Sequence, residues 1–212
     1  MFEIEYKGGN TVVISTKKST LVTDPKQSLV GLKDRVIKGA IELATESRFA
    51  LNSPEAHIAL EGPGEYEVAD FSIKGIASQR HLDAPDAPKQ TAMYRIGIDD
   101  INIALLGNIS PELSEEELEA LNVIDILIVP VGGGGYTLDA TSAAAIVRQV
   151  SPKAVIPVHY ADSALAYEVA QEGIDLFVSE LGVEVEEVGP KYKVKSAASL
   201  PQALSIVKIA RS

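Results

Sequence analysis

The sequence predicts an α/β fold, and three observations predict it: a β-meander at the start, a largely β first half, and a later strand–helix–strand alternation. Residues 2–6, 11–15 and 20–24 read as short strands, with Gly8-Gly9-Asn10 turning the first into the second. Residues 41–44, 57–60, 65–68 and 71–76 add strand-like runs, and Asp99-Asp100 turns residues 93–98 back onto 101–106.

The periodicity then changes. Ser114 opens a Ser-x-x-Glu capping box, and Leu118 and Leu121 follow at helical spacing, so a helix is expected over 114–121. Residues 126–131 form a nearly continuous apolar run, as in a strand covered on both faces. After the glycines, residues 141–150 are an Ala-rich helix that stops before Ser151-Pro152. Residues 154–158 complete the βαβ unit, 164–172 and 175–181 read as helices, and 192–194 and 205–209 as closing strands. No linker, long repeat or low-complexity tract divides the chain, so one domain over 1–212 is expected.

Composition narrows the function classes. With 46% hydrophobic and 23% charged residues the chain has the make-up of a folded globular protein, long enough to bury a core. No run approaches the roughly 20 apolar residues of a membrane helix, and the acidic start has no apolar leader, so a cytoplasmic location and no membrane partner are expected. A formal charge of -11 with only scattered basic residues argues against nucleic acid as a partner. The absence of cysteine removes disulfides, thiolate zinc sites and a cysteine nucleophile, leaving His, Asp and Glu as possible metal ligands. Oligomeric state is not legible.

Few residues carry candidate chemistry. Gly132 to Gly135 lie between a buried strand and a helix, but they lack the Lys-Ser/Thr of a phosphate loop and the glycine spacing of a dinucleotide fingerprint; a tight turn is expected, with Thr137 or Asp139 capping the helix. His159 ends the apolar strand 155–158, where functional side chains of α/β sheets usually project; it is either a site residue or a histidine satisfied at the edge of the core. His81 heads a Pro-rich loop and either lines the same cleft or is solvated, while His57 is read as structural. Asp24, followed by Pro25, either caps its loop or orients a site residue.

Read together, Val22-Thr23-Asp24-Pro25, Gly62-Pro63-Gly64-Glu65-Tyr66-Glu67-Val68, the stretch from Asp125 to Gly133, and Val155-Ile156-Pro157-Val158-His159-Tyr160 resemble the metallo-β-lactamase superfamily, in the style of its lactonase-like metal-dependent hydrolases. The resemblance spans nearly the whole chain and implies a four-layer αββα sandwich with a metal site at one edge. It also implies a degenerate metal site. The family's His-x-His-x-Asp-His loop is similar in place to residues 45–52, so Glu46 and Arg48 stand for the first two histidines, Ala50 for the aspartate and Leu51 for the last histidine. His81 matches the third motif, Asn108 replaces the bridging aspartate, and His159-Tyr160 matches the fifth.

These replacements decide what the resemblance implies for chemistry. A zinc hydrolase needs three or more well-placed ligands per ion, and Arg48 would bring a permanent positive charge into a ligand's place. Ordinary dinuclear hydrolysis is therefore not expected, and no cofactor is expected beyond a single zinc on Glu46, His81 and His159. The alternatives are three. A pocket of Asp24, Glu46, Arg48, His81, Asn108, His159 and Tyr160 holds a small anionic ligand on Arg48; the pocket is packed shut by Phe49 and Leu51 under a Glu46–Arg48 ion pair; or a one-zinc hydrolase of esters, lactones or phosphoesters survives.

Overall fold

The computed structural model describes all 212 residues. Along the chain run β1 (Phe2–Gly8), β2 (Thr11–Ser15), β3 (Thr20–Thr23), β4 (Ile41–Ala44), β5 (Ile58–Glu61), β6 (Gly64–Val68), β7 (Phe71–Ser78), β8 (Thr91–Ile98) and β9 (Ile101–Leu105). Then come α1 (Glu115–Leu121), β10 (Ile126–Pro130), α2 (Ala140–Val150), β11 (Ala154–Val158), α3 (Ile174–Leu181), β12 (Glu184–Val188), β13 (Tyr192–Val194) and β14 (Ser205–Ile209).

The strands form two sheets, β13-β1-β2-β3-β4-β5 and β12-β14-β11-β10-β9-β8-β7-β6. Strand alternation explains how they meet. Ile4, Ile14 and Leu21 of the first sheet and Ile73, Ile96, Ile103 and Ile128 of the second point into one shared apolar core. The opposite face of the second sheet, with Ile76, Met93, Leu127 and Val155, is covered by α1, α2 and α3 through Leu121, Ile146, Val147 and Phe177. On the outer face of the first sheet, Ile37 and Ala40 pack on Val13 and Val22. The expected αββα sandwich is thus observed, with irregular chain as its fourth layer. No helix is long and apolar enough to cross a membrane.

Helix boundaries follow their caps. Ser114 accepts from Glu117 N at 3.2 Å while Glu117 accepts from Ser114 N at 2.9 Å, the reciprocal box expected from sequence. Asp139, rather than Thr137, caps α2, accepting from Ser142 N at 2.7 Å. Gly133, Gly134 and Gly135 all have positive φ (65°, 68° and 72°), a turn that side-chain-bearing residues rarely adopt.

One expectation fails and one strand goes unpredicted. Residues 164–172 are not helical; their backbone groups instead bond to the 3-10 turn 27–30 and to the loop after β10, with Ala166 N donating to Val30 O and Glu172 N to Gly132 O. The edge strand β12 escaped notice because its sequence, Glu-Val-Glu-Glu-Val, is mostly exposed and charged, as edge strands often are.

Register brings the functional ends together. β10 and β11 are parallel with Pro130 opposite Val158, so Gly132 and His159 leave the sheet side by side. A Cβ on Gly132 would collide with the His159 carbonyl oxygen, which explains the glycine. In the first sheet Thr23 lies opposite Leu43, so Asp24 emerges level with Ala44, one residue before Thr45.

Candidate functional site

Asp24 turns out of β3 with φ of 43° and is buried. Its carboxylate accepts from Thr45 N at 2.7 Å and from the Thr45 hydroxyl at 2.8 Å, and its carbonyl accepts from the Thr11 hydroxyl at 2.7 Å. Asp24 therefore holds the start of the loop after β4 through Thr45. Burial pushes its carboxyl up to about 7, with the Glu46 charge adding and the Thr45 bonds opposing.

That loop carries Glu46 into the interior, at 7% exposure. Its Oε1 accepts from Asn108 Nδ2 at 3.3 Å, and its Oε2 lies 3.7 Å from the Arg80 guanidinium. Burial raises the Glu46 carboxyl above the ordinary range, against the Asn108 bond and the Arg80 charge. Asn108 also accepts from Asn10 Nδ2 at 3.1 Å, and its carbonyl accepts from His81 N at 3.0 Å. A lone bridge between Arg80 and Ile109 ties the two loops together here. Arg80 and Asn10 are thus members of the site that the sequence does not single out, Asn10 standing there only as part of a Gly-Gly-Asn turn.

His159 lies at φ of 50°, 4% exposed, with its N–H donating to Gly9 O at 2.9 Å. Its ring is between Tyr136 and Tyr167, at centroid distances of 5.9 and 4.8 Å. Burial pulls its pKa down to about 4, opposed by the Gln171 bond, so the imidazole is neutral near pH 7. Nδ1 lies 3.1 Å from Gln171 Oε1, whose amide nitrogen already donates to Val169 O at 2.9 Å; the pattern assigns the proton to Nδ1.

Arg48 does not pair with Glu46. Its Nη2 donates to Glu168 Oε1 at 2.6 Å, and its guanidinium lies 5.3 Å from the Phe49 ring centroid and 5.8 Å from that of Tyr136. The reason is direct: Arg80 already serves Glu46, and the irregular stretch 161–173 crosses the cleft with Glu168 above Arg48. The same stretch brings Tyr167, whose hydroxyl donates to Tyr160 O at 3.0 Å, and Gln171. Phe49, Tyr136, His159, Tyr167 and Val169 leave a cavity of about 20 Å³ between them, room for about one water.

The remaining sequence candidates go elsewhere. Tyr160 turns its ring to Tyr6, 5.7 Å away, and is replaced in the cleft by Tyr167. Ala50 and Leu51 line a separate depression with Pro25, Leu43 and Leu60, because the 3-10 turn Ser47–Phe49 ends in extended backbone at Ala50 and Asn52 takes a φ of 51°. Phe49 packs into the cleft as expected, whereas Leu51 does not. His57 is exposed beside β5, its N–H donating to Ala40 O. His81 is partly buried, with an unpartnered Nδ1.

A family zinc ion therefore has little to hold it. No three His, Asp or Glu side chains gather in a metal-holding group, so Glu46, His81 and His159 are not assembled as a ligand set. Glu46 is committed to Asn108 and Arg80. The residues present do not fit the ion.

The fold nonetheless has clear relatives. A protein of the metallo-β-lactamase superfamily from Thermotoga maritima is 20% identical with a TM-score of 0.80, over 99% of this chain and 100% of that one. The metallo hydrolase Igni18 from the archaeon Ignicoccus hospitalis is 14% identical with a TM-score of 0.66, over 92% and 99%. The metallo-β-lactamase fold protein YhfI from Bacillus subtilis is 9% identical with a TM-score of 0.57, over 100% and 98%. No curated protein matches in sequence. The family model for the β-lactamase superfamily domain matches residues 3–159, from β1 to the histidine at the end of β11. The chain belongs to the metallo-β-lactamase superfamily.

Proposed function

We propose that this member of the superfamily has given up dinuclear metal-dependent hydrolysis and uses its cleft to hold a small anion on Arg48. The observation that carries this reading is the Arg48–Glu168 ion pair at 2.6 Å. A carboxylate from the crossing segment sits on a guanidinium flanked by two aromatic rings, as a ligand anion would. The Glu168 side chain is 55% exposed, so it can leave for water at small cost.

Two further features support the loss of metal chemistry. Asn108 offers a neutral amide where the family's bridge is anionic, and two guanidinium groups, Arg48 and Arg80, occupy the space around Glu46. The metallo hydrolase Igni18 shares the fold, and fold alone does not carry activity across.

A second reading, a pocket that is simply packed, is favoured by the small remaining cavity. Thermal unfolding in phosphate, acetate and chloride separates the two. At ten times its dissociation constant a bound anion should raise Tm by about 3–6 °C, and Arg48→Gln should abolish the rise. An equal rise in the Arg48→Gln protein would remove Arg48 from the site. No rise in either protein would leave the packed pocket.

A further inference from the structure

The cleft around Arg48 is chemically lopsided. Arg48 is the one guanidinium or ammonium group in its lining, and the walls beside it are Leu29, Val30, Phe49, Tyr136 and Val169. Its occupant must therefore present one negative charge at one end and apolar surface at the other. A doubly charged phosphate would leave a charge uncompensated in an apolar slot, which is costly. A carboxylate is already accommodated there, because Glu168 occupies the position.

Size is limited as well. About 20 Å³ is free while Glu168 is in place, so a ligand has that space and the room the Glu168 side chain vacates. Resting on the anion-binding reading above, we infer that the ligand is a small monocarboxylate with an apolar body, its carboxylate replacing Glu168 on Arg48 and its body lying between Phe49, Tyr136 and Val169. Glu168 is then an internal competitor, and the 161–173 segment a cover that loosens when the ligand takes its place.

Calorimetric titration with acetate, butyrate, hexanoate, benzoate and inorganic phosphate tests this on the wild type, Glu168→Gln and Arg48→Gln proteins, with circular dichroism to confirm that each variant folds. Affinity should rise about fourfold per methylene from acetate to hexanoate while the slot lasts. Glu168→Gln should bind hexanoate roughly two- to fivefold tighter, the size expected when a half-exposed ion pair no longer competes. Arg48→Gln should bind none of them. If hexanoate and benzoate bind no better than acetate in both the wild type and Glu168→Gln proteins, the inference is overturned. Arg48-dependent binding of phosphate or acetate alone would then preserve the broader anion reading, and no Arg48-dependent binding of any probe would remove both.

Discussion

Asn108 donates its side-chain amide to the buried carboxylate of Glu46 at 3.3 Å. The same amide accepts from Asn10, so a neutral side chain holds three loops together at the place where the family resemblance calls for an anionic bridge. An aspartate there would face Glu46 at hydrogen-bond distance with no metal between them. Asn108→Asp should therefore destabilise the fold by about 2–4 kcal/mol at pH 8. Like-charge repulsion raises the folded-state pKa of the pair, so the penalty should shrink as pH falls toward 5. Urea denaturation at the two pH values measures it, and equal stability of variant and wild type at pH 8 would contradict the arrangement.

Asp24 ties stability to pH in a definite direction. Its carboxyl rises from 3.8 to about 7 on folding, mainly through burial. The folded state thus holds the proton more tightly, so this contribution is fullest below about pH 4 and is lost as pH climbs through 7. Asp24→Asn keeps polar partners for Thr45 and removes the titration. Its stability relative to wild type should improve from pH 5 to pH 8 by an amount on the order of 1 kcal/mol or more. A difference that stays constant across that range would show that Asp24 does not titrate with folding.

His159 works in the opposite sense. Burial lowers its pKa from 6.5 to about 4, so the unfolded chain binds the proton more readily and stability is lost as pH falls from about 6.5 toward 4. Asparagine tolerates the positive φ at this position, which makes His159→Asn a suitable probe. The variant should lose less stability than wild type between pH 7 and 5. Parallel acid titrations of the two proteins, followed by circular dichroism, would contradict a neutral buried imidazole.

Gly132, two residues past β10, lies against the His159 backbone. A methyl group there would meet the His159 carbonyl and the Gln171 side chain, and Gln171 is bonded to the His159 ring beside the Glu172 N to Gly132 O bond that ties down the 161–173 cover. Gly132→Ala should cost about 1–3 kcal/mol, and limited proteolysis should cut within 161–173 before it cuts elsewhere. Unchanged stability together with unchanged cleavage would mean that the close approach does not secure the cover.

The scaffold of the site was legible because it is built from local pattern. The apolar run into His159, the Thr23-Asp24-Pro25 stop and the capping box at Ser114 each name an element and its end from adjacent residues. Glu46, Asn108 and His159 could be placed through the family resemblance. What escaped was non-local. Nothing adjacent to Arg48 announces that Glu168, 120 positions away, is its partner, or that Arg80 takes Glu46 instead. The stretch 164–172 has helical composition, and only its backbone bonds to Val30 and Gly132 make it a cover. Leu51 was assigned to the cleft by motif alignment, whereas the backbone at Ala50 and Asn52 turns it toward Leu43 and Leu60.

Metal content decides the central claim most directly. The purified chain, dialysed against excess zinc and then against metal-free buffer, should retain well under one zinc per molecule by plasma mass spectrometry. One or two equivalents held through dialysis, and lost on replacing His159 or Glu46, would contradict the account.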